Sequence, residues 1–456
     1  MDFILWDEWS KAFSQLREAF SRQSTFLWAA IFCAGMAVRT NLRGVSSIVE
    51  CLGLKNTSYG SLVRLCGSKA INLDLLLVCW IKLCLRIFTP VCVDGYMVLF
   101  GDGIKVAKEG KKMPAVKLMH QSSQSNKKAE FIMGHYLQAL SLAVVNKSHE
   151  IEAVPLLARI HDGLVRSNRC KKTVLNRFGE IISEVVIACN IPSIVVADAY
   201  YANATTISEV EKTGCHLVSR VAHNTVAYEP AQIPKKRGRG RPALKGDRVE
   251  LWSIFEQALD HKNGKFSYSC RDLYWSAAKR IVRFVVAEHV NKGKIILMSS
   301  KLDLDPIVML ELYSKRWLIE TGFKTAVHEI GTFSYHYWMK DMKPQGRKTK
   351  QYIHRENEEY RTQIEKKLNT YHTYVAFGCI VQGLMQHLAI NFSKDVFNGF
   401  NGWLRTIRSD VKPSEIVVSQ ALRATLWNYL RAKTKAPEWV KFMTKRFDTK
   451  RVGMVA

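Results

Sequence analysis

Near Tyr96 the apolar pattern changes from helical to strand-like, and it returns to helix only at residue 173. Short β-branched runs occupy 97–100, 104–107, 137–145 and 151–160, followed by a helical stretch at 173–189. The strand Ser193-Ile194-Val195-Val196-Ala197, a helix at 203–213 and a strand at 216–221 then alternate. Successive strands form antiparallel hairpins, whereas strands separated by helices need crossovers and pair in parallel. A mixed α/β sheet is therefore predicted. Ahead of it, apolar spacing predicts helices at 9–20, 25–38, 45–52, 59–65 and 74–87, an all-α N-terminal segment. The stretch 44–54, a short helix ending in a glycine turn, reads equally as half of a helix-turn-helix DNA reader or as plain helical packing.

Residues 224–300 interrupt the alternation with a Pro/Gly/Lys/Arg segment and short strands, and read as a β-rich insertion. Beyond it come a charged stretch at 340–367, an apolar helix at 371–392 and a basic tail at 431–451. The expected division is 1–90, 91–223, 224–300, 301–395 and 396–456.

Charge narrows the partner. With 47% hydrophobic residues over 456 positions the chain buries a large core, so it is not a disordered basic protein. Yet Lys and Arg total 67 against 40 Asp and Glu, a formal charge of +27. An excess of this size points to a polyanion, with nucleic acid ahead of a membrane surface. The 11 cysteines are odd in number, lie in apolar segments and form no CxxC pair, which disfavours a structural zinc site and fits a reducing cytoplasm. Met1-Asp2-Phe3-Ile4 lacks the basic-then-apolar order of a signal peptide. Lys82, Arg86 and Asp94 interrupt the apolar stretch 75–100, so no membrane span is expected there.

Three carboxylates stand out. Asp102 follows Val98-Leu99-Phe100-Gly101, and Asp198 follows the strand 193–197, so both are expected where apolar strands end. Asp94, after Val91-Cys92-Val93, competes with Asp102, which is preferred because its strand is longer and Lys105, Lys108 and Lys111 follow. Glu320 lies in Tyr313-Ser314-Lys315-Arg316-Trp317-Leu318-Ile319-Glu320-Thr321-Gly322-Phe323-Lys324. On one continuous helix, Tyr313, Arg316, Glu320 and Lys324 would share a side, with Leu310, Trp317, Leu318 and Phe323 as apolar anchors. Each feature has an ordinary counterpart: an aspartate forms turns, and a Glu to Lys pair four apart decorates many surface helices. Together, three carboxylates suit two Mg2+ ions, hard cations that take oxygen ligands.

The order Asp102, Asp198, Glu320, with Tyr313-x-x-Arg316-x-x-x-Glu320 around the last, resembles the DDE transposases of bacterial insertion sequences. More narrowly it resembles the group marked by Y-x2-R-x3-E-x6-K, whose ribonuclease H-like domain is split by a β-strand insertion before the glutamate. The block Val196-Ala197-Asp198-Ala199-Tyr200-Tyr201 and the long interval before Glu320 agree with it. One position departs: the signature lysine falls at Val327, while Lys324 shares the face of Glu320. The resemblance implies a cut-and-paste DNA transposase with Asp102, Asp198 and Glu320 as catalytic metal ligands for two Mg2+, Mn2+ substituting. It further implies double-stranded element ends and target DNA as partners, a homodimer in the synaptic complex, and a bacterial cytoplasmic, nucleoid-associated location. Tyr313, Arg316 and Lys324 would contact DNA beside the site. Lys235, Lys236, Arg237, Arg239 and Arg241 surround an Arg-Gly-Arg-Pro core like that of AT-hooks, which enter narrow minor grooves. Trp275 reads as core ahead of base stacking. A ribonuclease H-like nuclease or resolvase without strand transfer, and a non-catalytic transposase-derived DNA-binding protein, remain alternatives.

Overall fold

A computed structural model describes residues 3–42, 44–121, 130–161, 163–169, 172–231, 243–257, 259–346, 350–405, 407–432 and 437–450. The chain is mixed α/β with a helical N-terminal segment, consistent with a ribonuclease H-like fold. It divides into two compact units, each assembled from separated stretches: residues 1–90, 103–171 and 320–456 in the first, 91–102 and 172–319 in the second.

In the first unit, helices Gln23–Val38, Leu73–Ile87 and Glu358–Asn391 form the centre of a helical layer, joined by Glu415–Ala432. The N-terminal helices and the basic C-terminal stretch thus fall in the same unit. Trp6 donates its indole N–H to the Leu422 carbonyl at 3.1 Å, and Arg423 donates to the carbonyls of Val38 and Arg39 at 2.6 and 3.2 Å. The Arg423 bonds cap carbonyls left open at the end of helix Gln23–Val38, and the Trp6 bond ties the first helix to the middle of Glu415–Ala432. Helix Glu358–Asn391 is longer than its apolar half predicts, because Asn357 caps it by accepting the Tyr360 N–H at 2.8 Å, ahead of a charged first stretch. By length and composition this helix could cross a membrane, but its apolar window is 94% buried inside the protein. It is the core helix.

The strands of this unit are β1 (Thr89–Pro90), β4 (Lys117–His120), β5 (Phe131–Val145) and β6 (Ile151–Ile160), with β1, β4 and β6 all antiparallel to β5. Trp80, 1% exposed, donates to the Pro155 carbonyl of β6 at 3.0 Å. Its ring lies where a Cβ on Gly383 would be, so the glycine is what lets the two helices approach.

A polar cluster is buried beneath β5. His135 bonds Tyr335 Oη through Nδ1 at 2.7 Å and the Pro114 carbonyl through Nε2 at 2.9 Å. Since a carbonyl only accepts, Nε2 carries the proton and Nδ1 accepts from the tyrosine. Lys108, also buried, donates to the carbonyls of Phe333 and Tyr335 at 2.5 and 3.0 Å. It braces the interior and does not join Lys105 as part of an exposed basic run. Burial pushes His135 from 6.5 down to about 3, so the folded state binds fewer protons than the unfolded state between those values. Stability is therefore full above pH 6.5 and is lost as pH falls toward 3, with a slope from this one group of up to about 1.4 kcal/mol per pH unit. Urea midpoints measured from pH 7 to pH 4 are expected to fall, and His135→Gln to flatten that fall.

The second unit holds β2 (Cys92–Val93), the first part of β3 (Tyr96–Ala107), β7 (Ser193–Ala197), β8 (His216–Arg220), β9 (Val226–Pro230), β10 (Lys245–Glu250), β11 (His261–Asn263), β12 (Phe266–Trp275), β13 (Arg280–His289) and β14 (Gly293–Ser299). Its order is β3-β7-β8-β14-β13-β12-β9-β10, with β3, β7 and β8 parallel and β14 antiparallel to β8. The β-rich stretch after β8 thereby extends the same sheet. Trp275 is 7% exposed and packs edge-on against Phe284, a core residue.

Two predicted elements differ. The strands expected at 97–100 and 104–107 are one strand, β3, that runs through Gly101-Asp102-Gly103. In the first unit, a Cβ at Gly103 would overlap the Tyr136 phenol, so glycine here admits a ring instead of breaking the strand. The single helix expected through Tyr313 and Lys324 is two, Pro306–Ser314 and Leu318–Thr325. Between them Lys315, Arg316, Leu318 and Ile319 donate their N–H groups three residues back, at 3.0–3.2 Å, which is a 3₁₀-type turn.

Candidate active site

The parallel pairing of β3 and β7 decides where the two aspartates stand. Their register runs Phe100 to Val196 and Gly101 to Ala197, so Asp102 and Asp198 are the next residues on neighbouring strands. Both follow fully buried runs, Met97 to Phe100 and Ile194 to Ala197, which fix the backbone beneath them. Asp198 ends its strand: its carboxylate accepts the Tyr200 N–H at 3.1 Å and caps the short turn Ala199–Tyr201. Ser219 Oγ on β8 donates to the Asp198 carbonyl at 2.7 Å, tying that turn to the next strand. Asp102, by contrast, lies within its strand.

Arg316 reaches Asp102. Its Nη1 donates to Asp102 Oδ2 at 3.2 Å, and the two side chains are 16% and 17% exposed. The 3₁₀-type turn accounts for the reach: residues three apart eclipse in that geometry, which puts Arg316 over Tyr313. Tyr313 is held protonated above its ordinary range, chiefly by burial, with Arg316 and Arg220 opposing and Asp198 reinforcing the shift. Tyr313, Arg316 and both aspartates therefore belong to one electrostatic neighbourhood of the second unit.

Beside it opens a cleft of about 590 Å³ lined by Arg220, Lys294, Lys315 and Arg316 together with Tyr313 and Trp317. Glu311 is its acidic lining residue. Trp317, expected to anchor the helix, is instead 53% exposed, because the turn swings it out of the apolar face. Arg220 and Lys294 could not be found from the sequence: each is a single basic residue on a β-strand, and only the pairing of β8 with β14 brings their two strands to the same cleft. Arg220 does carry one signal, its place at the end of β8, where the aspartates of β3 and β7 also direct attention.

Glu320 is the third residue of helix Leu318–Thr325, the unit division falling just before it. Within the first unit it is exposed, and Lys324 is exposed one turn along the same face. Val327 lies past the helix in the wider turn Ala326–Ile330. Among the described residues no group of three His, Cys, Asp or Glu side chains is arranged to hold one ion. The pair Asp102 and Asp198 still offers the donor chemistry a hard divalent cation takes, all oxygen and anionic. Asp94 does not compete: it has φ 50°, forms the β2–β3 turn with Gly95, and pairs with Lys301 at 3.3 Å. Lys235, Lys236, Arg237, Arg239 and Arg241 lie outside the described residues.

Paired aspartates on neighbouring parallel strands, with an arginine and a cationic cleft alongside, have the chemistry that suits anionic, phosphate-bearing ligands. The family model for the DDE superfamily endonuclease matches residues 15–266, more than half of the chain. The chain belongs to the DDE superfamily endonucleases, enzymes of transposase or nuclease type acting on DNA. The matched residues contain both aspartates and end before Glu320. No curated protein matches the chain.

Proposed function

We propose that the chain is a cut-and-paste DNA transposase of the Y-x2-R-x3-E-x6-K group, with Asp102, Asp198 and Glu320 as its catalytic carboxylates. The observation that carries this reading is the side-by-side placement of Asp102 and Asp198, with Arg316 on the first, in a chain of this family. Glu320 joins them on its spacing from Tyr313 and Arg316. Two divalent ions, Mg2+ with Mn2+ as substitute, would when bound supply charge to the attacking and leaving oxygens of an in-line displacement. The carboxylates would hold these cations through oxygen, and Arg316, with its planar fork, orients a phosphate. Tyr313 and Lys324 complete the backbone contacts. Water cuts one strand at the element end, and the freed 3′ hydroxyl attacks the target phosphodiester.

The five sequence segments keep their proposed roles: N-terminal helices for end recognition, a split catalytic domain at 91–223 and 301–395, an insertion at 224–300 with its AT-hook-like arginines on the minor groove, and a basic C-terminal region. A homodimer bringing two ends together, and work at the bacterial nucleoid in the cytoplasm, complete the proposal. The test is a labelled duplex bearing the end of the element that encodes the chain, incubated with unlabelled target and Mg2+. Cut and joined products are expected. Cut ends alone would favour a nuclease or resolvase, and binding with no metal-dependent product a non-catalytic DNA-binding protein.

A further inference from the structure

Arg316 stands between two anions that need it at different moments. It donates to Asp102 Oδ2 at 3.2 Å from a position only 16% exposed, and it also lines the cationic cleft with Arg220, Lys294 and Lys315. A carboxylate oxygen occupied by a guanidinium, with that positive charge in contact, is a poorer ligand for a divalent cation, since both the lone pair and the local field oppose it. A DNA phosphate entering the cleft offers the same guanidinium two oxygens in the geometry of its fork. Lys315 and Arg220 favour the entry of that phosphate at short range, where the cleft walls limit screening.

We propose that Arg316 makes cation binding at Asp102 conditional on DNA. Before DNA arrives it holds Asp102 and weakens the carboxylate's grip on a divalent ion. A phosphate in the cleft draws the guanidinium away, and Asp102 turns to the cation. DNA then binds first, and by linkage the cation tightens DNA in the same proportion. An enzyme so arranged is not charged for hydrolysis while its substrate is absent. The inference rests on Asp102 being a metal ligand, as proposed above.

The test measures Mn2+ binding to the full chain at constant ionic strength, by the electron paramagnetic resonance signal of the free ion. Wild type, Arg316→Gln, Arg316→Lys and Asp102→Asn are each compared without DNA and with a saturating duplex of arbitrary sequence. Binding by the duplex itself is removed by taking each value against Asp102→Asn with DNA, and thermal melts check that the variants are folded. Without DNA, Arg316→Gln is expected to bind Mn2+ about ten-fold more tightly than wild type, with Arg316→Lys between them. The duplex should raise the wild-type affinity by a similar factor and leave Arg316→Gln unchanged. Equal affinities of wild type and Arg316→Gln without DNA, both weakened by Asp102→Asn, would overturn the switch while leaving Asp102 a ligand. Mn2+ binding that is absent throughout, or indifferent to Asp102→Asn in every state, would overturn the ligand reading and the switch with it.

Discussion

Asp198→Asn is expected to lower Mg2+-dependent DNA cleavage by about 10³-fold or more and to leave stability within about 0.5 kcal/mol. The asymmetry follows from what the side chain does in the fold. One structural task of the side chain is to accept the Tyr200 N–H at 3.1 Å, and an asparagine oxygen caps a turn as well as a carboxylate does. The backbone carbonyl that Ser219 holds is untouched by the change. What disappears is one negative charge beside Asp102, at the end of a fully buried strand. A divalent ion held by fewer anionic oxygens binds more weakly and neutralises less charge in the transition state. Initial rates on a labelled duplex, with urea melts alongside, check both halves. Loss of activity together with loss of stability would instead mark Asp198 as a structural cap.

The largest stability effect is expected from Trp80→Ala, a cost of about 3–5 kcal/mol. The ring is 1% exposed and wedged between its own helix, β6 and the face of Glu358–Asn391 that carries Gly383. Truncation removes its dispersion contacts, leaves a cavity, and frees the Pro155 carbonyl that accepts its indole N–H. Gly383 supplies an internal check. In the wild type, Gly383→Ala forces a methyl into the ring and is expected to cost about 1–3 kcal/mol, although alanine is the better helix former. With Trp80→Ala in place the same methyl enters the cavity, so the two changes together should cost less than their sum. Because the chain has two units, the melt is followed through the transition that Trp80→Ala shifts.

How far the sequence foretells the structure depends on the distance over which each feature is decided. Strand β7 is legible because Ser193 to Ala197 is a β-branched run bounded by Pro192 and Asp198, both local signals. The mixed α/β layout follows in the same way from strands that first succeed one another and then alternate with helices. Strand β3 is misread because Gly-Asp-Gly is turn chemistry; the Tyr136 ring that makes use of Gly103 lies 33 positions further along. The break at Lys315 to Trp317 is hidden by good helical periodicity on both sides, and it is the break that turns Arg316 over Tyr313 and exposes Trp317. The Arg316 and Asp102 pair spans 214 positions, which no local pattern encodes. The cleft is illegible for the same reason, since Arg220, Lys294 and Lys315 come from two strands and a turn. Candidate carboxylates can be nominated from short motifs, whereas the charges that attend them are assembled by strand pairing.

Catalysis as proposed needs Glu320 to work with Asp102 and Asp198, and the direct measurement is the cleavage rate of Glu320→Gln in Mg2+ at matched DNA occupancy. Glu320 is exposed and lies at the start of its helix, so the neutral isostere should fold and bind DNA as the wild type does. A three-carboxylate site predicts a rate at least about 10³-fold below wild type, with occupancy unchanged. Cleavage by Glu320→Gln at the wild-type rate would contradict it.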